Sequence, residues 1–105
     1  AVNPDTIMAQ IEGGLIFGFT AALYGEITIK KGRVQQSNFN DYRMLRIDQA
    51  PEIEAHFALT GGKKWGGMGE PAGPPVPPAV ANAIFAATGK RIRSTPFRLH
   101  DLSWA

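Results

Sequence analysis

Glu26-Ile27-Thr28-Ile29-Lys30-Lys31-Gly32-Arg33-Val34-Gln35-Gln36 alternates polar and apolar side chains up to a Lys-Gly step and can then return. A period of two is the pattern of a strand, and Lys31-Gly32 supplies the turn, so the stretch reads as a β-hairpin. Glu52-Ile53-Glu54-Ala55-His56-Phe57-Ala58-Leu59 alternates again and predicts a third strand. Between them, residues 37–46 are polar and aromatic without a sustained period and read as a loop. Helical patterns flank this strand-forming region, so the expected fold is α+β: two helices packed on a small, three-stranded, mostly antiparallel sheet.

The first helix starts before the hairpin. Asn3 suits an N-cap, Pro4 the first turn, and Asp5 the positive end of the helix dipole. Ile7, Ile11 and Leu15 recur every four residues, and Gly25 suits the C-terminal end. Gly14, Gly18 and Ala22 share one stripe of this helix. Each internal glycine costs about 1 kcal/mol against alanine. The stripe implies close approach of another backbone or a ligand, or tight helix packing alone. The second helix is expected over Val80–Thr88, ended by Gly89. Pro74-Pro75-Val76-Pro77-Pro78 favours polyproline II geometry and reads as a stiff lead-in. Ser94–Ala105 forms a tail containing Pro96 and Trp104.

Between sheet and second helix lies Gly66-Gly67-Met68-Gly69-Glu70-Pro71. Glycines let a backbone come close to a ligand and permit positive φ. Pro71 pushes Glu70 towards extended geometry. A carboxylate presented this way and taken out of water is suited to proton abstraction. A solvated loop carboxylate satisfies the same pattern. Gln10, whose amide both donates and accepts, precedes Glu12-Gly13-Gly14, where missing side chains leave room for a ligand.

Composition excludes several chemistries. The 105-residue chain carries a formal charge of +2, too weak to argue for nucleic acid. Its one basic cluster, Lys90-Arg91-x-Arg93, lacks interleaved aromatics for base stacking. Cysteine is absent, which removes thiolate catalysis, Cys zinc sites and iron–sulfur ligation, and leaves periplasm or cytoplasm open. His56 and His100 have no metal-ligand spacing, so no protein-held metal is expected. The apolar run Leu15–Leu23 is interrupted by Gly18 and Thr20 and is too short for a membrane span. The glycine loop matches neither a Walker loop nor a dinucleotide fingerprint.

Two segments together resemble a known family. Gln10-Ile11-Glu12-Gly13-Gly14-Leu15-Ile16-Phe17-Gly18 is similar to the Gln-x-Glu-Gly-small-x-x-x-Gly helix of the xanthine dehydrogenase family of molybdenum hydroxylases. Gly67-Met68-Gly69-Glu70-Pro71 resembles that family's small-x-Gly-Glu-Pro loop, and residues 78–87 look like the helix that follows it. Val2-Asn3-Pro4, Tyr24-Gly25-Glu26-Ile27-Thr28, Gln36-Ser37-Asn38-Phe39-x-Asp41-Tyr42 and Ala87-Thr88-Gly89-Lys90-Arg91 favour the molybdopterin-binding subunits of the isoquinoline 1-oxidoreductase-like and aldehyde-oxidising branch.

The resemblance implies that Glu70 is the catalytic base in hydroxylation of N-heteroaromatic compounds or oxidation of aldehydes, with water as oxygen source. It implies that Gln10 binds the pterin cofactor, with Gly67, Met68 and Gly69 beside it, and that Gly13 and Gly14 serve packing. The implied cofactor is molybdenum-molybdopterin cytosine dinucleotide in the full enzyme, with none bound to this chain alone. The implied partners are the remainder of the molybdenum subunit, an iron–sulfur electron-transfer subunit and a small heterocyclic or aldehyde substrate.

The family's subunit is several times longer than 105 residues, so residues 1–105 read as one C-terminal fragment of a molybdopterin-binding domain, inactive in isolation. Lys63-Lys64-Trp65 and the extra prolines depart from the family pattern. Surfaces left uncovered in such a fragment predict homo-oligomerisation. The rival reading is a non-catalytic interaction module that keeps the fold without the cofactor.

Overall fold

The computed structural model describes residues 1–103, so Trp104 lies outside the described residues. Helix α1 spans Pro4–Leu23. It begins as its sequence requires: the Asn3 side chain accepts from the Thr6 N–H at 3.1 Å, and Pro4 occupies the first turn, where a missing N–H leaves nothing unsatisfied. Its end is closed by the N–H groups of Tyr24 and Gly25, which both donate to the Thr20 carbonyl at 3.0 and 2.9 Å. By length and composition α1 is apolar enough to cross a bilayer, more than the Leu15–Leu23 run alone suggests. In this fold it packs instead against a second helix and the C-terminal tail.

The hairpin forms where expected, though shorter. Strand β1 (Ile29–Lys30) pairs antiparallel with β2 (Arg33–Val34), with Ile29 opposite Val34 and Lys30 opposite Arg33. Lys31 and Gly32 both have positive φ, 50° and 76°, the pattern of a type I′ turn. Gln35 N–H donates to the Thr28 carbonyl at 2.8 Å and extends the pairing by one bond. The next segment is a turn organised by Asp41, which accepts from the backbone N–H groups of Ser37 and Asn38.

The third strand is not formed. Residues 50–66 carry no regular element, and the sheet among the described residues has two strands. Alternation marks a chain able to pair, but pairing needs a free edge within reach. The hairpin offers only two residues per strand, and its faces are exposed. The helices, for the same reason, pack on each other rather than on the sheet.

Helix α2 spans Val76–Thr88 and starts four residues before the expected Val80. Pro75 is helical, with φ −74° and ψ −11°, so the proline run enters the helix instead of preceding it as polyproline II. Pro77 and Pro78 fall in the first turn, where the absent N–H groups would have had no intrahelical partner. Gly89, at φ 73°, ends the helix in the left-handed conformation and returns its N–H to the Phe85 carbonyl at 2.8 Å.

The tail closes the small core. Ile92 and Phe97 are buried against Ala22 of α1, with Leu23, Val80, Ala81 and Ile84 around them. Arg98, on the 3₁₀ turn Phe97–Leu99, pairs with Glu26 and ties the tail to the chain leaving α1. The radius of gyration is 16.7 Å, against about 13 Å for a compact domain of this length. Much of the apolar surface is therefore uncovered, including Phe17, Ile29, Val34 and Phe39.

Candidate active site

Two turns bring the glycine loop onto α1. Gly73 N–H donates to the Glu70 carbonyl at 3.2 Å, and Val76 N–H donates to the Gly73 carbonyl at 3.1 Å. The first turn has proline at its second position and glycine at its fourth, both favoured there. The second delivers the chain into α2.

The contacts between loop and helix involve small residues. A Cβ placed on Gly14 would stand 2.7 Å from the Ala72 Cβ. One placed on Gly18 would stand 2.7 Å from the Gly73 carbonyl oxygen and from Val76. These two glycines therefore serve close backbone approach and helix packing. Gly13, on the neighbouring face, has nothing within 4 Å of an added Cβ.

The third attachment is polar. Gln10, 58 positions earlier in the chain, donates from Nε2 to the Met68 carbonyl at 3.3 Å. Gln10, Met68, Gly69 and Glu70 thus converge at one place. Gln10, Gly13, Gly14, Phe17, Gly69 and Glu70 line a cleft of about 640 Å³, which Pro74 and Pro77 of the α2 lead-in also border.

The loop glycines differ from expectation in one respect. None of Gly66, Gly67 and Gly69 has positive φ, which occurs instead at Gly61 and Gly62. An added Cβ at Gly66, Gly67 or Gly69 would meet nothing within 4 Å. Neither backbone strain nor crowding within this chain requires glycine there. Of the three, Gly69 lines the cleft, where its missing side chain leaves open space; Gly66 and Gly67 are not among the cleft-lining residues. Glu70 is exposed and meets the cleft without being covered by it.

Phe17 and Pro77 line the cleft, and Ala72 lies against Gly14 behind it; the motifs single out none of the three. The spacing of Gln10, Gly14 and Gly18, four apart on one helical stripe, was the signal that could have found their neighbours.

Other reactive side chains fall away from this cleft. His100 Nε2 lies 2.9 Å from the Ser94 carbonyl oxygen and 3.1 Å from Ser94 Oγ. A carbonyl can only accept, so Nε2 carries the proton and cannot deprotonate Ser94. His56 pairs with Glu54 at 3.0 Å on an exposed segment. No cluster of metal-ligating side chains occurs among the described residues. In the basic cluster, Lys90 bonds the carbonyls of Asp101 and Ser103, and Arg91 lies over the Phe85 ring while donating to Asn82.

Residues 1–51 match the model of the molybdopterin cofactor-binding domain. The chain is 40% identical over 96 residues to isoquinoline 1-oxidoreductase subunit beta of Brevundimonas diminuta, covering 91% of this chain and 12% of that protein. The chain belongs to the xanthine dehydrogenase family of molybdopterin-binding subunits. It is also 40% identical over 101 residues to a membrane-bound aldehyde dehydrogenase (pyrroloquinoline-quinone) of Gluconacetobacter polyoxogenes, covering 96% of this chain and 13% of the relative. A putative xanthine dehydrogenase molybdenum-binding subunit of Escherichia coli is 34% identical over 112 residues, covering 95% of this chain and 14% of its own length. The chain thus spans about an eighth of the length of the first two relatives. The family is one of molybdenum-dependent oxidoreductases.

Proposed function

We propose that this chain is the C-terminal part of a molybdenum-dependent hydroxylase subunit and supplies its general base, Glu70. The observation that carries this is the Gln10–Met68 hydrogen bond, which joins the two family motifs at one cleft across 58 positions of sequence. The cleft suits one edge of a molybdopterin. Gln10 offers an amide for hydrogen bonding, and Gly69 leaves open space on the side that a large planar group would occupy. Other parts of the subunit would hold the rest of the cofactor, in its cytosine dinucleotide form.

When bound, the cofactor would supply two-electron oxidation, with an iron–sulfur partner subunit as the electron acceptor. Glu70 takes the proton from the oxygen nucleophile as that oxygen attacks an electron-poor carbon of an N-heteroaromatic ring or an aldehyde. Gln10 orients the pterin edge and holds the Met68 carbonyl. A carboxylate gains strength as a base when water is excluded from it, so this role needs the remaining subunit and the substrate to cover Glu70.

The test is Glu70→Gln in the cofactor-loaded subunit. General-base loss should lower kcat by roughly 100- to 10,000-fold, with molybdenum content unchanged. An active Glu70→Gln enzyme rules the assignment out. If the natively isolated protein holds no molybdenum, the alternative of a non-catalytic interaction module takes its place.

A further inference from the structure

We propose that α1 positions the Glu70 loop through three successive anchors, and that Gly14 and Ala72 form a size-matched pair setting where the Glu70 carboxylate stands. The proposal rests on Glu70 being the base and adds the residues that place it. Gln10, Gly14 and Gly18 lie four apart, so they stack along one stripe of the helix. They meet the loop in the order in which it runs. Gln10 holds the Met68 carbonyl, Gly14 receives Ala72, and Gly18 receives Gly73 and Val76. Helix and loop run side by side in the same direction.

Glu70 falls midway between the first two anchors. Its own carbonyl accepts from Gly73 N–H at 3.2 Å, so a shift of Ala72 or Gly73 is passed to Glu70 through one turn. The Gly14 contact is special in its chemistry. A Cβ added there would come closest, at 2.7 Å, to one methyl group, and the next atoms, Gly73 N and the Ala72 Cα, would lie at 3.5 and 3.6 Å, in ordinary contact. Adding a methyl at position 14 and removing the one at position 72 therefore conserves the fit. Gly18 differs because the atoms 2.7 Å from a Cβ added there include the Gly73 backbone oxygen, which no side-chain change can remove.

The experiment compares Gly14→Ala, Ala72→Gly and the double variant in the cofactor-loaded subunit. It reads kcat and KM together with hydrogen exchange of residues 66–73. Displacing a catalytic group by an ångström costs about 100-fold in rate, so Gly14→Ala should lower kcat at least tenfold with little change in KM. It should also speed exchange across the loop. The double variant should return both readouts to the Ala72→Gly level, whereas Gly18→Ala with Ala72→Gly should not recover.

Unchanged kcat and exchange in Gly14→Ala would overturn the proposal. So would a double variant no better than Gly14→Ala, or one that fails to fold while Ala72→Gly folds. If Gly14→Ala itself does not fold, the double variant against Ala72→Gly decides. Glu70→Gln measured in parallel separates the two levels. Its retained activity would remove the base assignment, while the exchange data would still decide the positioning.

Discussion

The Thr20 hydroxyl joins two parts of the chain: it accepts from Leu45 N–H at 3.1 Å while lying 3.2 Å from the Ile16 carbonyl one turn back, to which it donates. Thr20 is 3% exposed and the one buried polar side chain among the described residues. Thr20→Val keeps the shape and leaves the Leu45 N–H without an acceptor. A buried donor left unsatisfied costs about 1–3 kcal/mol, so the thermal midpoint should fall. Thr20→Ser keeps the hydroxyl and should avoid most of the loss, and equal melting of the two variants would sink the account.

Two nearby glycines of α1 should respond in opposite directions. Gly18→Ala forces an atom to 2.7 Å from backbone and side chain of the α2 start, and overpacking of this kind costs about 1–3 kcal/mol. Gly13→Ala meets nothing within 4 Å and should gain up to about 1 kcal/mol of helix propensity. Denaturation midpoints of the two variants check the sign of each.

The hairpin turn carries a removable strain. Lys31 sits at φ 50°, where a side chain other than Gly, Asn or Asp is disfavoured. Lys31→Asn creates an Asn-Gly type I′ turn and should stabilise the hairpin by a few tenths to about 1 kcal/mol. Slower amide exchange at Arg33 and Gln35 is the expected readout, and faster exchange would contradict it.

Acid should open the turn at residues 37–41. Hydrogen bonds from the backbone of Asn38, then from the backbone and hydroxyl of Ser37, hold the Asp41 carboxyl below the ordinary aspartate value. With the folded pKa lowered, the stabilisation is present above the unfolded value of about 4 and is lost as pH falls through the folded value. Exchange at Ser37 and Asn38 should therefore stay slow at neutral pH and quicken only in acid. Asp41→Ala should quicken it at every pH.

Local chemistry made much of this fold legible. The Asn3-Pro4 start, the Lys31-Gly32 turn and the Gly89 stop depend on neighbours within a few residues, and all three stand as read. Gln10 and Glu70 were legible as separate motifs, and their meeting at one cleft became visible only in three dimensions. The third strand failed because Glu52–Leu59 shows the pattern of a strand but has no edge to pair with in this fold. The proline run was misread because Pro74–Pro78 suits polyproline II and a helical first turn equally, and packing of Val76 on Gly18 selects the helix. The open space at Gly69 depends on what lies across the cleft, which local pattern does not encode.

The anchoring of both ends of the Glu70 loop to one rigid helix has a consequence for chain length. A residue inserted between Met68 and Ala72 cannot slide out in either direction, because Gln10 grips one end and Gly14 seats the other. The extra length must bulge at Glu70 itself. The same insertion between residues 50 and 66, where the chain is irregular, is absorbed without reaching the cleft. Tolerance to insertion should therefore change sharply within a few residues, and gaps among related subunits should gather upstream of Gly66 and avoid the span that carries the carboxylate.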